Sequence, residues 1–279
     1  MARMTPAMTQ KADPAEVLRC GELTVIGRIR SASNATFLCE ADLDAAQVHC
    51  VYKPISGEAP LWDFPDGTLA GRERGAYLVS AALGWDVVPH TIIREGPAGP
   101  GMVQRWVDQP GDALSDTTPP DGPDLVDLVP ADKLPEGYLP ILRAYDHAGD
   151  EVLLVHADDD RLRRLAVFDV LINNADRKGG HVLAGIDGRV YGVDHGVCLH
   201  AQDKLRTVLW GWAGRELDAA TLHDVARLRD ELRNGLADQL LDHVTRREVT
   251  ALQARVVALL DDPTMPTPDR DRPIPWPAF

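Results

Sequence analysis

The chain has 279 residues, 44% of them hydrophobic, and a formal net charge of −14 at pH 7. This acidic charge argues against a nucleic-acid-binding protein, because contacts with phosphate backbones need clustered lysine and arginine residues. The sequence contains no apolar run near the roughly 18–20 residues of a membrane-spanning helix, and its first residues lack the apolar stretch of a signal peptide. We therefore expect a cytoplasmic protein without stable membrane insertion.

The first part of the chain has the patterns of a β-rich lobe, which we place at residues 21–107 after a disordered lead at residues 1–20. Segments typical of strands occur at residues 22–30, 35–40, 47–53, 90–94 and 101–107. A polar turn at residues 31–34 predicts a hairpin between the first two strands. One helix, at residues 72–83, interrupts the strands and ends at Gly84, a residue type common at helix C-termini.

Residues 108–262 are predicted to form a connector and a mainly helical lobe. The stretch 108–137 is rich in Pro, Gly and Asp, which is typical of a long mobile connection. Two helical regions, with two short strands between them, are predicted in the order 159–174, 182–184, 189–193 and 216–260. The proline-rich tail, residues 263–279, cannot be helical, because proline lacks the amide hydrogen that a helix interior needs.

Two acidic residues carry the chemical signal of the sequence. Asp176 follows an apolar helix in a loop, and Asp194 follows the two short strands just before Gly196. Each residue alone is typical of an ordinary turn. At this helix–loop–strand–turn–strand spacing, however, the two acids match what phosphoryl transfer needs. One carboxylate orients or deprotonates the nucleophile, and the other holds Mg²⁺ on the triphosphate.

Lys53 and Glu73 add a second signal. Lys53 lies at the end of a strand candidate, and Glu73 lies on the helix that follows. A lysine at a strand end is usually only solvated. In phosphotransferases, a lysine in this place holds the α- and β-phosphates, and a glutamate on the next helix orients it. Together with the two downstream acids, the pair indicates ATP binding.

At these positions the sequence resembles the actinobacterial phosphatidylinositol 3-/4-kinase-like family, within the kinase-like superfamily that includes HipA toxins and type II phosphatidylinositol 4-kinases. The resemblance covers about residues 21–260. It rests on Tyr52-Lys53-Pro54, Glu73 with Ala76-Tyr77, Asp169-x-x-x-x-Asn174-x-Asp176-Arg177, Asp194-His195-Gly196 and Leu205–Gly214. It implies an α+β, two-lobed protein-kinase-like fold, with a β-rich N-lobe and a mainly helical C-lobe. It also implies an enzyme that uses ATP and a divalent cation, Mg²⁺ or Mn²⁺.

The resemblance assigns roles to residues of the C-lobe. Asp176 aligns with the catalytic-loop aspartate, which positions the acceptor hydroxyl. Arg177, beside it, would neutralise this loop or meet a phosphate. Asp194 aligns with the metal-binding aspartate, and His181 or Asn174 would complete the metal site.

The resemblance also assigns the nucleotide to residues of the N-lobe and the connector. Lys53 would hold the α- and β-phosphates. Ser33 and Asn34 lie in the hairpin that would cover the phosphates, although this hairpin lacks the glycines of protein kinases. Gln104 and Trp106 would line the adenine pocket through backbone groups.

His181 departs from the superfamily pattern, which usually has an asparagine five residues after the catalytic aspartate. Imidazole is a poor ligand for the hard ion Mg²⁺ and suits Mn²⁺ or Zn²⁺ better. The change leaves open a different metal preference, a single-metal site, a compensating ligand such as Asn174, or lost catalysis. An ordinary loop histidine is a further alternative.

Three functions are therefore open. The favoured one is an ATP-dependent phosphotransferase that acts on a small molecule or a protein. We rank a phosphoinositide acceptor lower, since this acidic chain shows no clear basic, aromatic surface for a membrane. The second function is a nucleotide-binding pseudokinase with a regulatory or scaffold role, and the third is transfer of AMP instead of phosphate.

Two tryptophans, Trp210 and Trp212, lie in the segment LWGWAG. They would suit the wall of a substrate pocket, but tryptophans in an apolar run are more often core residues, and we predict that role.

Overall fold

The computed structural model describes residues 13–29, 34–112, 114, 117–118 and 122–279. The chain divides into two compact units. The small unit consists of Met1–Ala59 and His90–Trp106, and the large unit consists of Pro60–Pro89 and Val107–Phe279. Among the helices of the described ranges, none combines the length and the apolar character that a membrane crossing requires.

The small unit is built on an antiparallel sheet with strand order β1-β2-β3-β5-β4. The strands are β1 (Glu22–Arg28), β2 (Phe37–Leu43), β3 (Ala46–Pro54), β4 (Thr91–Gly96) and β5 (Gly99–Arg105). Each overlaps a predicted strand. One face of the sheet is closed by side chains that have no exposed surface, including Cys39, Cys50, Tyr52 and Val103.

A short helix, α1 (Pro14–Cys20), precedes the sheet and corrects the disorder that we predicted over residues 1–20. The Asp13 carboxylate caps it by accepting the N–H of the helix's second residue at 3.1 Å. Val17 and Leu18 are fully buried in the core of the small unit. So short a helix is stabilised mainly by this tertiary burial, which local sequence patterns do not reveal. The residues before Asp13 lie outside the described ranges.

Helices form most of the core of the large unit. The main ones are α2 (Leu69–Leu83), α3 (Asp160–Ile172), α4 (Ala219–Glu231), α5 (Ala237–Leu241) and α6 (Arg246–Asp261). Their apolar faces share one core, which includes Val79, Phe168, Leu171, Leu228 and Leu252. Helix α2 begins before the predicted residue because the Thr68 hydroxyl accepts the Gly71 N–H at 2.9 Å. It ends at Gly84, whose φ of 63° is left-handed, as a glycine C-cap allows.

The large unit also contains two small antiparallel sheets. The strands β6 (Val126–Pro130), β7 (Tyr138–Tyr145) and β8 (Glu151–Ala157) pair in the order β6-β8-β7, and β9 (Val182–Ala184) pairs with β10 (Val190–Gly192). The pair β9–β10 was predicted. The predicted mobile connection over residues 108–137 is wrong at β6, because Val126 and Val129 of that strand are buried in hydrophobic clusters.

The proline-rich C-terminal segment, residues 263–279, contains no helix, as predicted. It is nevertheless well packed. Met265 is 2% exposed, its N–H donates to the carbonyl of Arg215 at 3.0 Å, and its own carbonyl accepts the Gly214 N–H at 2.9 Å. The segment is therefore an ordered part of the large unit.

Candidate active site

The loop that carries Asp176 begins at the end of α3. Asn173, the C-cap of this helix, has a φ of 53°, which turns the chain out of the helix. Its buried side-chain amide donates to the carbonyls of His200 and Gln202 at 3.0 and 2.6 Å. Its side-chain oxygen accepts the Lys204 N–H at 2.9 Å. Asn173 therefore fixes the point at which the loop leaves the helix.

Asp169, near the end of α3, has no exposed surface and organises the loop. Its carboxylate accepts hydrogen bonds from Arg177 Nη2 and Nε, at 2.9 and 3.0 Å. It also accepts from Asn174 Nδ2 at 2.9 Å and from Thr207 Oγ1 at 3.2 Å. A buried charge is tolerated when it is paired and hydrogen-bonded, and these four contacts meet that condition.

Asn174 and Arg177 support the backbone around Asp176, a contact that was not predicted. Asn174 Oδ1 accepts the Asp176 N–H at 3.0 Å, while its amide group donates to the buried carboxylate of α3. Arg177 Nη1 donates to the carbonyls of His181 and Val193 at 3.2 and 3.1 Å. Both side chains are fully buried and contact protein groups. The predicted roles of Asn174 towards a metal and of Arg177 in catalysis stay predictions.

Asp176 itself is accessible, with 34% of its side chain exposed. Lys178 Nζ lies 3.3 Å from Asp176 Oδ2. Burial raises the pKa of Asp176 and the negative charge of Asp194 adds to this effect, whereas Lys178 opposes it. A raised pKa makes the carboxylate a better proton acceptor, and the lysine supplies positive charge beside it.

Asp194 follows β10 with a φ of 61°, a left-handed conformation that residues other than glycine seldom adopt. Its side chain is 52% exposed. His181 Nε2 lies 3.5 Å from Asp194 Oδ2, and His181 Nδ1 lies 3.0 Å from the carbonyl oxygen of Asp176. Because a carbonyl only accepts, we assign the proton of the neutral ring to Nδ1. The lone pair of Nε2 then points towards Asp194.

The pair formed by His181 and Asp194 has the chemistry of a partial metal site. Burial lowers the pKa of His181 to about 4 against the opposing effect of Asp194, so the imidazole is neutral at pH 7. A neutral imidazole and a carboxylate supply two ligand atoms. The described part of the chain has no group of three His, Cys, Asp or Glu side chains that could hold a metal ion. A cation here would take its other ligands from water and phosphate, as Mg²⁺ at nucleotides usually does.

Helix α2 anchors the turn that follows Asp194. Glu73 is 1% exposed, and its Oε2 accepts the His195 N–H at 2.9 Å. The His195 ring is fully buried, accepts from Arg177 Nη2 at 2.6 Å and packs edge-on against Phe168 at 5.7 Å between ring centroids. His195 is thus a packing residue. The contact of Glu73 with the turn was not predicted, and its role towards Lys53 stays a prediction.

Of the nucleotide-binding residues that we predicted in the small unit, Lys53, Gln104 and Trp106 lie on or beside β3 and β5. Lys53 is close to the end of β3. Asn34 Oδ1 accepts a backbone N–H at 2.9 Å. Gln104 is 4% exposed and donates to a threonine hydroxyl at 2.8 Å, and the Trp106 N–H donates to a β3 carbonyl at 2.9 Å. Ser33 lies outside the described residues. Contacts of these residues with a nucleotide stay predictions.

Lys178 and the central role of Asp169 were missed by the sequence analysis. A signal for Lys178 was present, since a basic residue two positions after Asp176 precedes two glycines, Gly179 and Gly180, whose lack of side chains keeps the loop open. Asp169 belongs to the motif that carries the resemblance, but its burial was not predicted, because an acidic residue on a helix usually faces solvent.

Trp210 and Trp212 are core residues, as predicted, with exposures of 6% and 1%. Trp212 Nε1 donates to Asp158 Oδ1 at 2.7 Å, and its ring packs against His156 at 4.3 Å between centroids. The polar edge of the indole is therefore satisfied inside the large unit.

Comparisons with known proteins relate the chain to one curated protein and to solved kinases. No protein-family model matches the chain. Protein Rv2133c of Mycobacterium tuberculosis (strain ATCC 25618 / H37Rv) is 67% identical over 273 residues, which cover 98% of this chain and 98% of that protein.

Among solved structures, the Golgi casein kinase with Mn/ADP bound is similar with a TM-score of 0.51 and 12% identity, over 88% of this chain and 74% of that chain. A second structure of the Golgi casein kinase gives a TM-score of 0.49 over 88% of this chain and 72% of that chain. The similarity to the first structure confirms the predicted α+β, two-lobed kinase-like fold. Membership of the phosphatidylinositol 3-/4-kinase-like family stays a prediction.

Proposed function

The chain belongs to the family of Mycobacterium tuberculosis Protein Rv2133c and has a kinase-like fold, and from its site we propose that it is an ATP- and divalent-metal-dependent phosphotransferase. One observation carries this proposal. The loop of Asp176 and the turn of Asp194 are both tied to the buried Asp169–Arg177 pair. Two carboxylates held together in this way suit phosphoryl transfer, in which positioning and charge neutralisation supply most of the catalysis.

Asp176 is proposed to act on the acceptor. Its partly exposed carboxylate accepts a hydrogen bond from the acceptor hydroxyl and takes up the proton as the oxygen attacks the γ-phosphorus. The bond from this phosphorus to the bridging oxygen of the β-phosphate breaks, and ADP leaves. Lys178, 3.3 Å from that carboxylate, then faces the negative charge of the transferred group. Asn174 and Arg177 keep the backbone of Asp176 in place during the transfer.

Asp194 and His181 are proposed to hold the cation, Mg²⁺ or Mn²⁺. The donor set of one carboxylate oxygen and one imidazole nitrogen fits an ion that also binds phosphate oxygens. When bound, such an ion neutralises the phosphate charge of ATP. The imidazole favours Mn²⁺ over Mg²⁺, and the similar solved kinase was crystallised with Mn and ADP.

The roles towards the nucleotide that we predicted for Lys53, Glu73, Ser33, Asn34, Gln104 and Trp106 are part of this proposal. They rest on the sequence resemblance. The variant Lys53→Met removes the positive charge that would hold the α- and β-phosphates. It should therefore raise the Kd for ATP.

The acceptor is proposed to be a small molecule or a protein. The net charge of −14 would repel anionic lipid surfaces, which speaks against a phosphoinositide. Co-sedimentation with vesicles that contain anionic lipid tests this choice. Strong binding would move the proposal to a lipid acceptor.

A pseudokinase is the second candidate, and His181 is the observation that favours it. A histidine in place of an amide or carboxylate, with Asp194 as its carboxylate partner, makes a weak site for Mg²⁺. This candidate predicts that the protein binds nucleotide and does not consume it.

ATP consumption by purified protein with Mg²⁺ or Mn²⁺ separates these functions. We expect turnover that is lost in Asp176→Asn and retained in Asp150→Asn, which changes an exposed turn. Unchanged turnover in Asp176→Asn would refute the assignment. Nucleotide binding without turnover would support the pseudokinase, and mass spectrometry of a modified acceptor that showed a gain of AMP would support AMP transfer.

A further inference from the structure

The last seven residues, 273–279, contact the Asp176 loop directly, and we call them the C-terminal strap. The carbonyl of Ala278 accepts the Gly179 N–H at 2.8 Å. The Phe279 ring lies against the α-carbon of Gly179, so closely that a Cβ on this glycine would be 2.3 Å from Phe279 Cε1. Only glycine fits at position 179 while the ring is in place.

The other end of the strap contacts the segment that pairs with the same loop. The carbonyl of Pro273 accepts the Thr207 N–H at 3.0 Å and Trp210 Nε1 at 2.9 Å. The segment around Thr207 pairs in turn with the loop, since the Arg177 N–H donates to Arg206 at 3.0 Å and the Val208 N–H donates to Arg177 at 3.1 Å. The strap thus contacts the Asp176 loop directly at Gly179. It also contacts Thr207, whose neighbours are hydrogen-bonded to Arg177 of the loop.

The strap is integrated into the folded core. Pro275 is buried, and Ile274 and Ala278 pack against the main hydrophobic cluster of the large unit. The Asp176 side chain keeps 34% exposure beside it. The strap therefore braces the loop and leaves the carboxylate accessible.

The strap contacts the loop at its most flexible residues. Lys178 and His181 are separated only by Gly179 and Gly180, and glycine has the most freely rotating backbone of all residues. The strap contact at Gly179 adds to the contacts that hold the residues on either side, namely Lys178 Nζ with the Asp176 carboxylate and His181 Nδ1 with the Asp176 carbonyl.

We propose that the C-terminal strap is a positioning element of the active site, in which Phe279 packs on Gly179 to fix the loop that carries Asp176, Lys178 and His181. This inference rests on the proposed phosphotransferase function. Misplacement of a catalytic group by about 1 Å lowers rates by up to about 100-fold, so loss of the brace acts mainly on the rate of the chemical step.

The variant Phe279→Ala tests the inference. We expect kcat to fall about tenfold while the KM for ATP stays within about twofold, because the loop loses its position and the nucleotide contacts remain. The matched control is Trp276→Ala, which removes an aromatic ring of the same strap that is 87% exposed. The control should leave kcat unchanged. An unchanged kcat in Phe279→Ala, or an increase that would mark the strap as inhibitory, overturns the proposal.

A double-mutant cycle with Gly179→Ala tests the contact itself. Gly179→Ala alone should lower kcat, since its Cβ would collide with the Phe279 ring. Combined with Phe279→Ala, it should lower kcat less than the product of the two single effects, because the ring is gone. Multiplicative effects would show that the two residues act independently and would contradict the inference.

Hydrogen exchange separates a failure of this inference from a failure of the proposed function. The Gly179 amide, bonded to Ala278, should exchange at least about tenfold faster in Phe279→Ala than in the wild-type protein or in Trp276→Ala. If the wild-type protein shows no ATP turnover, the function fails and the exchange still reports on the strap. If turnover is present and neither kcat nor exchange changes, the strap inference alone is refuted.

Discussion

Replacing Asp169 by asparagine should destabilise the large unit strongly, because it leaves the Arg177 charge without its counter-charge. Both side chains are 0% exposed, and Arg177 Nη2 lies 2.9 Å from Asp169 Oδ1. Loss of one partner from a buried ion pair destabilises by about 3–5 kcal/mol. Asparagine keeps the shape and one acceptor oxygen of Asp169, so we expect a loss near the lower end, about 3 kcal/mol.

Urea denaturation followed by tryptophan fluorescence measures this loss, since Trp210 and Trp212 are buried in the same unit. Asp150→Asn is the matched control, because it removes a carboxylate from an exposed turn between β7 and β8. Its effect should stay within about 0.5 kcal/mol.

A second variant, Arg177→Met, completes the test. Arg177→Met alone leaves a buried carboxylate uncompensated, whereas the combination with Asp169→Asn leaves no lone charge. The double variant should therefore lose less stability than the sum of the two single variants. A decrease in the free energy of unfolding below about 1 kcal/mol in Asp169→Asn would be typical of an exposed ion pair and would contradict this prediction. Additive decreases in the two single variants would contradict it as well.

Three further predictions concern pH, the Asp194 turn and the metal. His156 Nε2 accepts the Gly211 N–H at 3.0 Å, and burial lowers the pKa of His156 to about 4 from 6.5. The unfolded chain protonates His156 near pH 6.5, whereas the folded protein does so only near pH 4. The free energy of unfolding should therefore decrease by up to about 3 kcal/mol as the pH is lowered from 6.5 to 4. Urea midpoints at pH 7 and 5 should therefore differ less in His156→Gln than in the wild-type protein, and equal differences would contradict the assignment. Glu73→Ala should lower kcat at least about tenfold, and Glu73→Gln should lower it less, because the amide oxygen still accepts the His195 N–H; equal losses in steady-state assays would speak against this contact. His181→Asn should shift metal preference from Mn²⁺ towards Mg²⁺, because an amide oxygen is the harder ligand. Thermal shifts by ADP with either ion measure this preference, and an unchanged ratio would remove His181 from the metal site.

The elements that the sequence predicted well are those whose own residues carry the pattern. The second half of β3 alternates between buried and more exposed residues, and α3 combines an apolar stripe with an Asp159 cap, so local periodicity located both. Strands β7 and β8 were missed. A register shift between Pro140 and Leu142 interrupts β7, and four successive residues of β8 are buried, which hides its alternation.

The sequence pointed to the two acids of the candidate site and not to the side chains that hold their loops. Asp176 and Asp194 follow from spacing, because loops after a helix and a strand present their side chains to solvent. Asn174 and Arg177 stand beside Asp176 in the sequence, yet they point into the core, and no local pattern shows that direction. The C-terminal strap was equally hidden. Prolines in residues 263–279 exclude a helix but do not reveal that Phe279 packs on Gly179, about a hundred residues earlier in the chain.

We propose that this chain transfers phosphate from ATP with a cation held by Asp194. The most direct test is the conversion of ATP to ADP over time with Mg²⁺ or Mn²⁺, by the wild-type protein and by Asp194→Asn, with thermal unfolding to show that the variant is folded. We predict metal-dependent formation of ADP by the wild-type protein, faster with Mn²⁺, and its loss in the variant. ADP formation at the same rate in a folded Asp194→Asn protein would contradict the account.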